Sequence, residues 1–316
     1  VAIADIKKPS QETAAAAIGN PDLKIYDDYK KMLKEMQFDI VDVCTPNCFH
    51  CAPTIAAFEA GAHVITEKPC ATSVAEVEKM IAAGQQAGTL FMVAQSLRFS
   101  DAHLAMKRWV DAGLIGEVYY GRLSLLRPRG VPSWGDFIVK EMSAGGPCYD
   151  LDVHILDLAL YLMGHPEPVS VSANYWLKLS NKPSVMKHDP KRYTVPDELA
   201  AGFVRFANGA WLTLTISSLD SHPKPGWLEI TGTLGSYVFE WTTWELTTHD
   251  KAGRTVFTKG KNRPSQNEKY YQNVADHLVR GEALVITAEW ARRPIHILDL
   301  ACQSARKGTA LKARYR

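Results

Sequence analysis

The sequence predicts an α/β fold in two parts. A Rossmann-type parallel-sheet domain spans residues 1–116, and an α/β substrate-binding domain with a large, mostly antiparallel open sheet spans 117–316. Three observations predict this. The first third of the chain alternates short β-branched runs with helical stretches, a pattern that calls for a parallel sheet with helices on both faces. After Gly116 the apolar pattern switches to period two, with Gly, Asn and Pro between the runs. A length of 316 residues also suits two domains better than one.

The first part reads in order as follows. Residues 1–4 form a strand ending at Asp5. Residues 10–18 are helical, with Ser10 as N-cap, and 29–36 continue the helical pattern. The run 39–44 is a strand stopped by Thr45-Pro46-Asn47. Residues 49–60 form a helix closed by Gly61. A strand over 63–66 leads into Glu67-Lys68-Pro69. Residues 73–87 form a helix with a Ser73/Glu76 capping box, ended by Gly88. A strand over 90–94 and a helix over 101–112 complete the unit. Ligands of such sheets bind at the carboxyl ends of the strands. Asp5, Thr45, Pro46, Asn47, Glu67, Lys68 and Gln95 are therefore expected along one edge.

In the second part, period-two runs cover 118–126, 169–179, 200–206, 210–217, 227–231 and 236–241. Asn208-Gly209 marks a hairpin. A single helix over 147–163 interrupts the strands, and helices near 268–280 and 289–307 follow.

Composition excludes several classes. A net charge of +2 offers no clustered field for nucleic acid or an anionic membrane. No apolar run reaches the ~20 residues a membrane span requires. Residues 1–4 lack the charged leader of a signal peptide. The six cysteines fit reduced thiols in the cytoplasm. Cys44, Cys48 and Cys51 have the C-x3-C-x2-C spacing of an iron–sulfur loop. They are spread over a strand, a turn and a helix, however, so no metal is expected.

Two features carry chemistry. Pro69 restrains Lys68 toward extended geometry and aims it into the crevice. Gly145-Gly146-Pro147 opens a helix on which Asp150 and His154, four apart, share a face, with Asp157 three further on. A carboxylate one turn from a histidine can set its tautomer and favour its cation. Each feature also has an ordinary reading, as a surface lysine before a turn and as a helix salt pair at a domain interface. Asp5, ending a strand, suits a ribose hydrogen bond or a plain helix cap; Lys7 and Lys8 beside it would tolerate a 2′-phosphate.

Together these motifs resemble the glucose-fructose oxidoreductase / inositol dehydrogenase / rhizopine catabolism (Gfo/Idh/MocA) family. The likeness runs through 39–50, through 60–69, and through Gly145-Gly146 with Asp150, His154 and Asp157. The resemblance implies a Rossmann domain followed by an open-sheet domain that often makes subunit contacts, here a homodimer or homotetramer. It implies catalysis by Lys68, Asp150 and His154. Cofactor contacts fall on Asp5, Thr45, Pro46, Asn47, His50, Glu67, Lys68, Gln95 and Arg98. The expected cofactor is NAD, with NADP possible, and the expected partner is a small sugar or polyol.

The implied reaction is hydride transfer from a sugar, glycoside or cyclitol hydroxyl. His154 takes the hydroxyl proton, Asp150 favours the imidazolium, and Lys68 steadies the oxygen. Alternatives within the resemblance are a glycosidase using transient oxidation and a dinucleotide- or sugar-sensing regulator. Lys68, Trp134, Asp152 and His154 are the expected substrate contacts, with Trp134 and Trp176 candidates for a stacking wall and core or interface packing the ordinary reading of Trp176.

Two departures stand out. Asp152 occupies a position where the family pattern has glycine. No Gly-x-Gly-x-x-Gly occurs, and the strand and phosphate loop that open the family pattern would precede Val1. The expectation is a sequence truncated relative to the functional protein, or a copy impaired in cofactor binding.

Overall fold

The structure, a computed structural model, describes residues 1–128, 136–180, 190–220, 226–262 and 266–314. Strand β1 (Ala2–Ala4) leads into helix α1 (Lys8–Ile18). This helix starts earlier than Ser10 predicts. Pro9 sits in its first turn, where a missing N–H costs nothing, and the N-cap is Lys7, whose own N–H is held by Asp5 Oδ1 at 2.7 Å. Strand β2 (Lys24–Tyr26) was not predicted; three residues are too few to show a period. Helix α2 (Tyr29–Glu35) follows, capped by the Asp28 carboxylate. Strand β3 (Ile40–Val43), helix α3 (Cys51–Glu59), strand β4 (His63–Thr66), helix α4 (Val74–Ala87), strand β5 (Phe91–Val93) and helix α5 (Asp101–Asp111) come in the expected order.

The capping box of α4 is only half formed. Ser73 accepts the Glu76 N–H, but the Glu76 carboxylate turns to the N–H and hydroxyl of Thr72.

The parallel strands form two sheets where the pattern predicts one. β1 pairs with β2, and β3, β4 and β5 pair in sequence. In the doubly wound order a central strand stands between two such groups. Helix α2 links the pieces, packing on β1 and on α3.

The second part is built on a nine-stranded sheet. Its strands are β6 (Val118–Leu126), β7 (Pro168–Trp176), β8 (Leu199–Phe206), β9 (Trp211–Ser217), β10 (Leu228–Gly232), β11 (Gly235–Phe239), β12 (Thr243–His249), β13 (Thr255–Lys261) and β14 (Leu311–Lys312). Their spatial order is β13-β12-β11-β10-β6-β9-β8-β7-β14, and every pair is antiparallel except β6 with β9. Gly209 turns the β8–β9 hairpin with φ +87°, a conformation that needs glycine. Strands β12, β13 and β14 were not predicted. β13 is exposed along almost its whole length and so shows no apolar alternation.

Alternation divides this sheet into faces. Leu123, Leu125, Leu212, Leu214, Ile216, Leu228 and Ile230 are buried on one. Tyr120, Phe203, Trp211 and the Arg122–Glu229 ion pair mark the other.

The predicted single helix over 147–163 is two. Short helix α7 (Pro147–Asp150) is separated from α8 (Asp152–Leu162) by Leu151, and α6 (Lys140–Ser143) precedes both. The break has a cause. In a continuous helix the Asp150 carbonyl would accept from the N–H of His154; it accepts from Lys68 Nζ instead, at 3.2 Å. Helix α8 is buried on nearly every side and packs on β6, β10 and α5. Helix α9 (Asn267–Arg280) and α10 (Ala288–Lys307) return the chain to the first part, where α10 packs on α4 and β5.

Arg98 and Asp157 lock this junction. Arg98 Nε and Nη2 grip the two Asp157 oxygens at 2.6 and 2.5 Å, with side-chain exposures of 0% and 2%. Arg98 Nη1 donates to Val285 O at 3.1 Å. Removing one partner leaves a buried charge uncompensated. Asp157→Ala is therefore expected to lower unfolding stability by about 3–5 kcal/mol in urea titrations. A loss under about 1 kcal/mol would show that the pair does not hold the junction.

Candidate active site

The crevice edge is built by the loops that follow β1, β3 and β4. Lys68 follows β4 and precedes a cis peptide to Pro69, and its Nζ reaches Asp150 Oδ1 at 3.1 Å. One ammonium thus holds both the side chain and the main chain of Asp150. The exposures are 16% for Lys68 and 13% for Asp150, so the contact sits at the mouth of the crevice and not on the open surface.

His154 follows one turn later. Its Nδ1 is shut off from solvent and has no hydrogen-bond partner. Burial first, then the Lys68 and Arg127 cations, hold the ring well below the usual histidine range. This corrects the expectation that Asp150 favours the imidazolium. The Asp150 carboxylate is committed to Lys68, and the charges acting on His154 are positive. His154 enters the site neutral.

The expected cofactor contacts divide into two groups. Asp5, Thr45, Pro46, Glu67 and Lys68 keep accessible surface. Glu67 accepts the Lys68 N–H at 3.1 Å, and burial pushes its carboxyl above the ordinary range. Asn47, His50, Gln95 and Arg98 are buried. Asn47 Nδ2 donates to Ser143 O at 3.3 Å, tying the β3 loop to α6. The His50 ring spans Pro69 O at 2.9 Å and Thr45 O at 2.6 Å, bracing the loops after β3 and β4. Arg98, expected at the cofactor, is instead the core partner of Asp157. Asn47 and His50 thereby brace the loops after β3 and β4.

Asp152, expected at the substrate, is 1% exposed. Burial and the neighbouring Asp197 raise its carboxyl to about 7, and its Oδ2 has no partner. Trp134 lies outside the described residues. Trp176, 37% exposed, stands at the end of β7. The three clustered cysteines do not converge: Cys44 Sγ donates to Asp42 and Cys48 Sγ to Lys140 O.

The residues fit one end of a dinucleotide. The Asp5 carboxylate at a strand end is the acceptor a ribose diol needs. Lys68 and the partly buried ring of His154 supply polar groups beyond it. The glycine-rich turn for a pyrophosphate is absent from the sequence.

Comparison with known proteins places the chain. Residues 1–95 match the model of an oxidoreductase family with an NAD-binding Rossmann fold, and residues 103–238 match the GFO/IDH/MocA C-terminal domain. The chain belongs to the GFO/IDH/MocA oxidoreductase family. A D-glucoside 3-dehydrogenase of Escherichia coli is 35% identical over 69% of this chain and 62% of its own length, so the chain spans about three fifths of that relative. An NADP(+)-using scyllo-inositol 2-dehydrogenase of Bacillus subtilis is 27% identical over 91% of this chain and 82% of its own length. Levoglucosan dehydrogenase, solved with NADH and levoglucosan, shares the fold at a TM-score of 0.83, with 24% identity, covering 98% of this chain and 89% of that one.

Within the GFO/IDH/MocA frame, sequence reasoning missed Asp197. Its carboxylate accepts the N–H of Gly146 at 2.8 Å and of Cys148 at 2.9 Å. The signal was available in Val195-Pro196-Asp197-Glu198, two adjacent acids at the start of an apolar strand.

The raised carboxyl of Asp152 has a stability consequence with a definite sign. A group whose folded value lies above its unfolded one stabilises the fold at low pH, and that contribution is lost as pH rises through the folded value. Asp152→Asn should therefore gain stability over the parent as pH rises from 3.8 to about 7. The full difference is about 4 kcal/mol. Urea unfolding at pH 5 and pH 8 reads about 2–3 kcal/mol of it, the remainder falling below pH 5, and an equal gap at both pH values would refute it.

Proposed function

We propose that this protein is an NAD(P)-dependent oxidoreductase that moves hydride between nicotinamide and a secondary hydroxyl of a sugar, glycoside or cyclitol. The observation that carries the reading is the convergence of Lys68, Asp150 and His154 at the strand ends of a family Rossmann domain. The curated relatives named for glucoside and inositol oxidation support this substrate class.

Lys68, Asp150 and His154 are the proposed catalytic residues. Asp5, Thr45, Pro46 and Glu67 line the cofactor side. The nicotinamide, when bound, accepts or returns the hydride. The chain's own groups manage the proton and the oxygen. His154, held neutral by burial and two cations, is ready to accept the hydroxyl proton. The Lys68 ammonium donates to the same oxygen and stabilises its developing negative charge. Asp150 fixes Lys68 from both its carboxylate and its carbonyl, so the ammonium is positioned before a substrate arrives.

Residues 1–116 are the proposed cofactor unit and 117–316 the substrate and assembly unit. The proposed assembly is a homodimer or homotetramer through the outer sheet face, where Trp176 and Trp211 are 37% and 38% exposed. The six free cysteines suit a cytoplasmic site of action. Among the described residues no helix is long and apolar enough to cross a membrane.

Two measurements test the reading. A panel of sugars and cyclitols with NAD or NADP should give net reduced cofactor by absorbance. Glycoside hydrolysis without net reduction would point to the transient-oxidation chemistry instead. Lys68→Ala should lower turnover by roughly 100-fold or more while changing dinucleotide affinity only a few-fold. Undiminished turnover in that variant would remove Lys68 from the mechanism.

A further inference from the structure

Asp197 lies outside the proposed catalytic set, yet it holds the turn on which Asp150 depends. The residue sits just before β8 and is 1% exposed. Each carboxylate oxygen takes one backbone N–H, from Gly146 to Oδ1 and from Cys148 to Oδ2. These are the N-cap and the second residue of α7. The Asp197 carbonyl is itself pinned by Tyr193 Oη at 2.6 Å. Gly146 is matched to this clamp: a Cβ there would stand 2.3 Å from Asp197 O and 3.1 Å from its Oδ1. Asp150 closes the four-residue helix whose start is gripped in this way. A short helix held at its first turn cannot tilt or slide without moving its last residue by a similar amount.

A second observation points the same way. Asp152, just past the break at Leu151, faces Asp197 and has an orphan Oδ2. Burial and the Asp197 carboxyl raise the Asp152 carboxyl, so the clamp at α7 also bears on the first residue of α8.

We propose that Asp197 is a positioning residue: by clamping Gly146 and Cys148 it sets the attitude of α7, and through α7 the contact between Asp150 and Lys68. For catalysis this rests on the dehydrogenase reading above; for geometry it does not. Asp197→Asn supplies one acceptor and turns an NH2 group on the other N–H, so α7 should shift and release Lys68.

The test follows the reactivity of Lys68. The purified protein is treated with formaldehyde and a borohydride reductant without dinucleotide or sugar, and methylation of each lysine is timed by peptide mass spectrometry. Asp150→Asn, which cuts the ion pair directly, is the positive control. Asp197→Asn is expected to raise Lys68 labelling at least threefold, toward the control, while Lys107 and Lys269 keep their wild-type rates. Asp197→Glu, which keeps both acceptors on a longer arm, should fall between wild type and Asn. If the Asn variant does not unfold cooperatively, the Glu variant carries the test with an expected rise of about twofold. Wild-type Lys68 labelling in a folded variant, with the control raised, overturns the proposal. A merely structural role would raise all three lysines together or none, and either result also overturns it. Sugar oxidation is measured in parallel, with turnover expected to fall about tenfold in Asp197→Asn. A protein with no dehydrogenase activity sinks the functional reading but leaves the labelling result standing.

Discussion

Helix α8 has almost no polar face, and the layout of the molecule follows from that. A helix that is apolar all round must be covered all round. The large sheet covers one side through β6 and β10, and α5, α10 and the 96–99 turn cover the others. The first part of the chain therefore has to pack against the second. The strand ends of one and the start of α8 in the other meet along a common line, with His154 in the first turn of α8 and Asp150 at the end of α7 just before it. The crevice is a by-product of burying an apolar rod.

The polar groups along that line are expensive to place and are matched accordingly. Arg98 and Asp157 are fully desolvated but satisfied by each other and by Val285 O. Lys68 and Asp150 are only partly desolvated. The difference in exposure separates a fully buried ion pair from one that solvent still reaches. Both pairs join the first part to the second, and sequence spacing alone does not tell them apart.

Much of this was legible in the residues. The strand–helix alternation, the turn from period 3.6 to period two and the Asn208-Gly209 hairpin are local signals, and local signals survive folding; the meeting of Lys68 with Asp150 follows from the family resemblance. What the sequence hid was hidden for physical reasons. Strands β2 and β14 are too short to show a period, and β13 lies at an exposed edge with no buried face. The break at Leu151 depends on Lys68, 82 residues from Asp150, competing for a helix carbonyl. Asp152 and Arg98 are expected at the site from the family resemblance; their burial, Asp152 on α8 and Arg98 in the 96–99 turn against Asp157, is set by tertiary packing. Asp197 carries no motif because its function lies in accepting backbone N–H groups, which any well-placed carboxylate could do.

The return of α10 to the first part has a mechanical consequence. The chain passes between the two parts once before β6 and again through α9 and α10, where the Asp299 carboxylate accepts the Val74 N–H at 3.2 Å. Two bodies joined at a single strap can swivel freely. Joined at two separated points, with Arg98–Asp157 and a shared core between them, they resist any twist that would misalign Lys68 with Asp150.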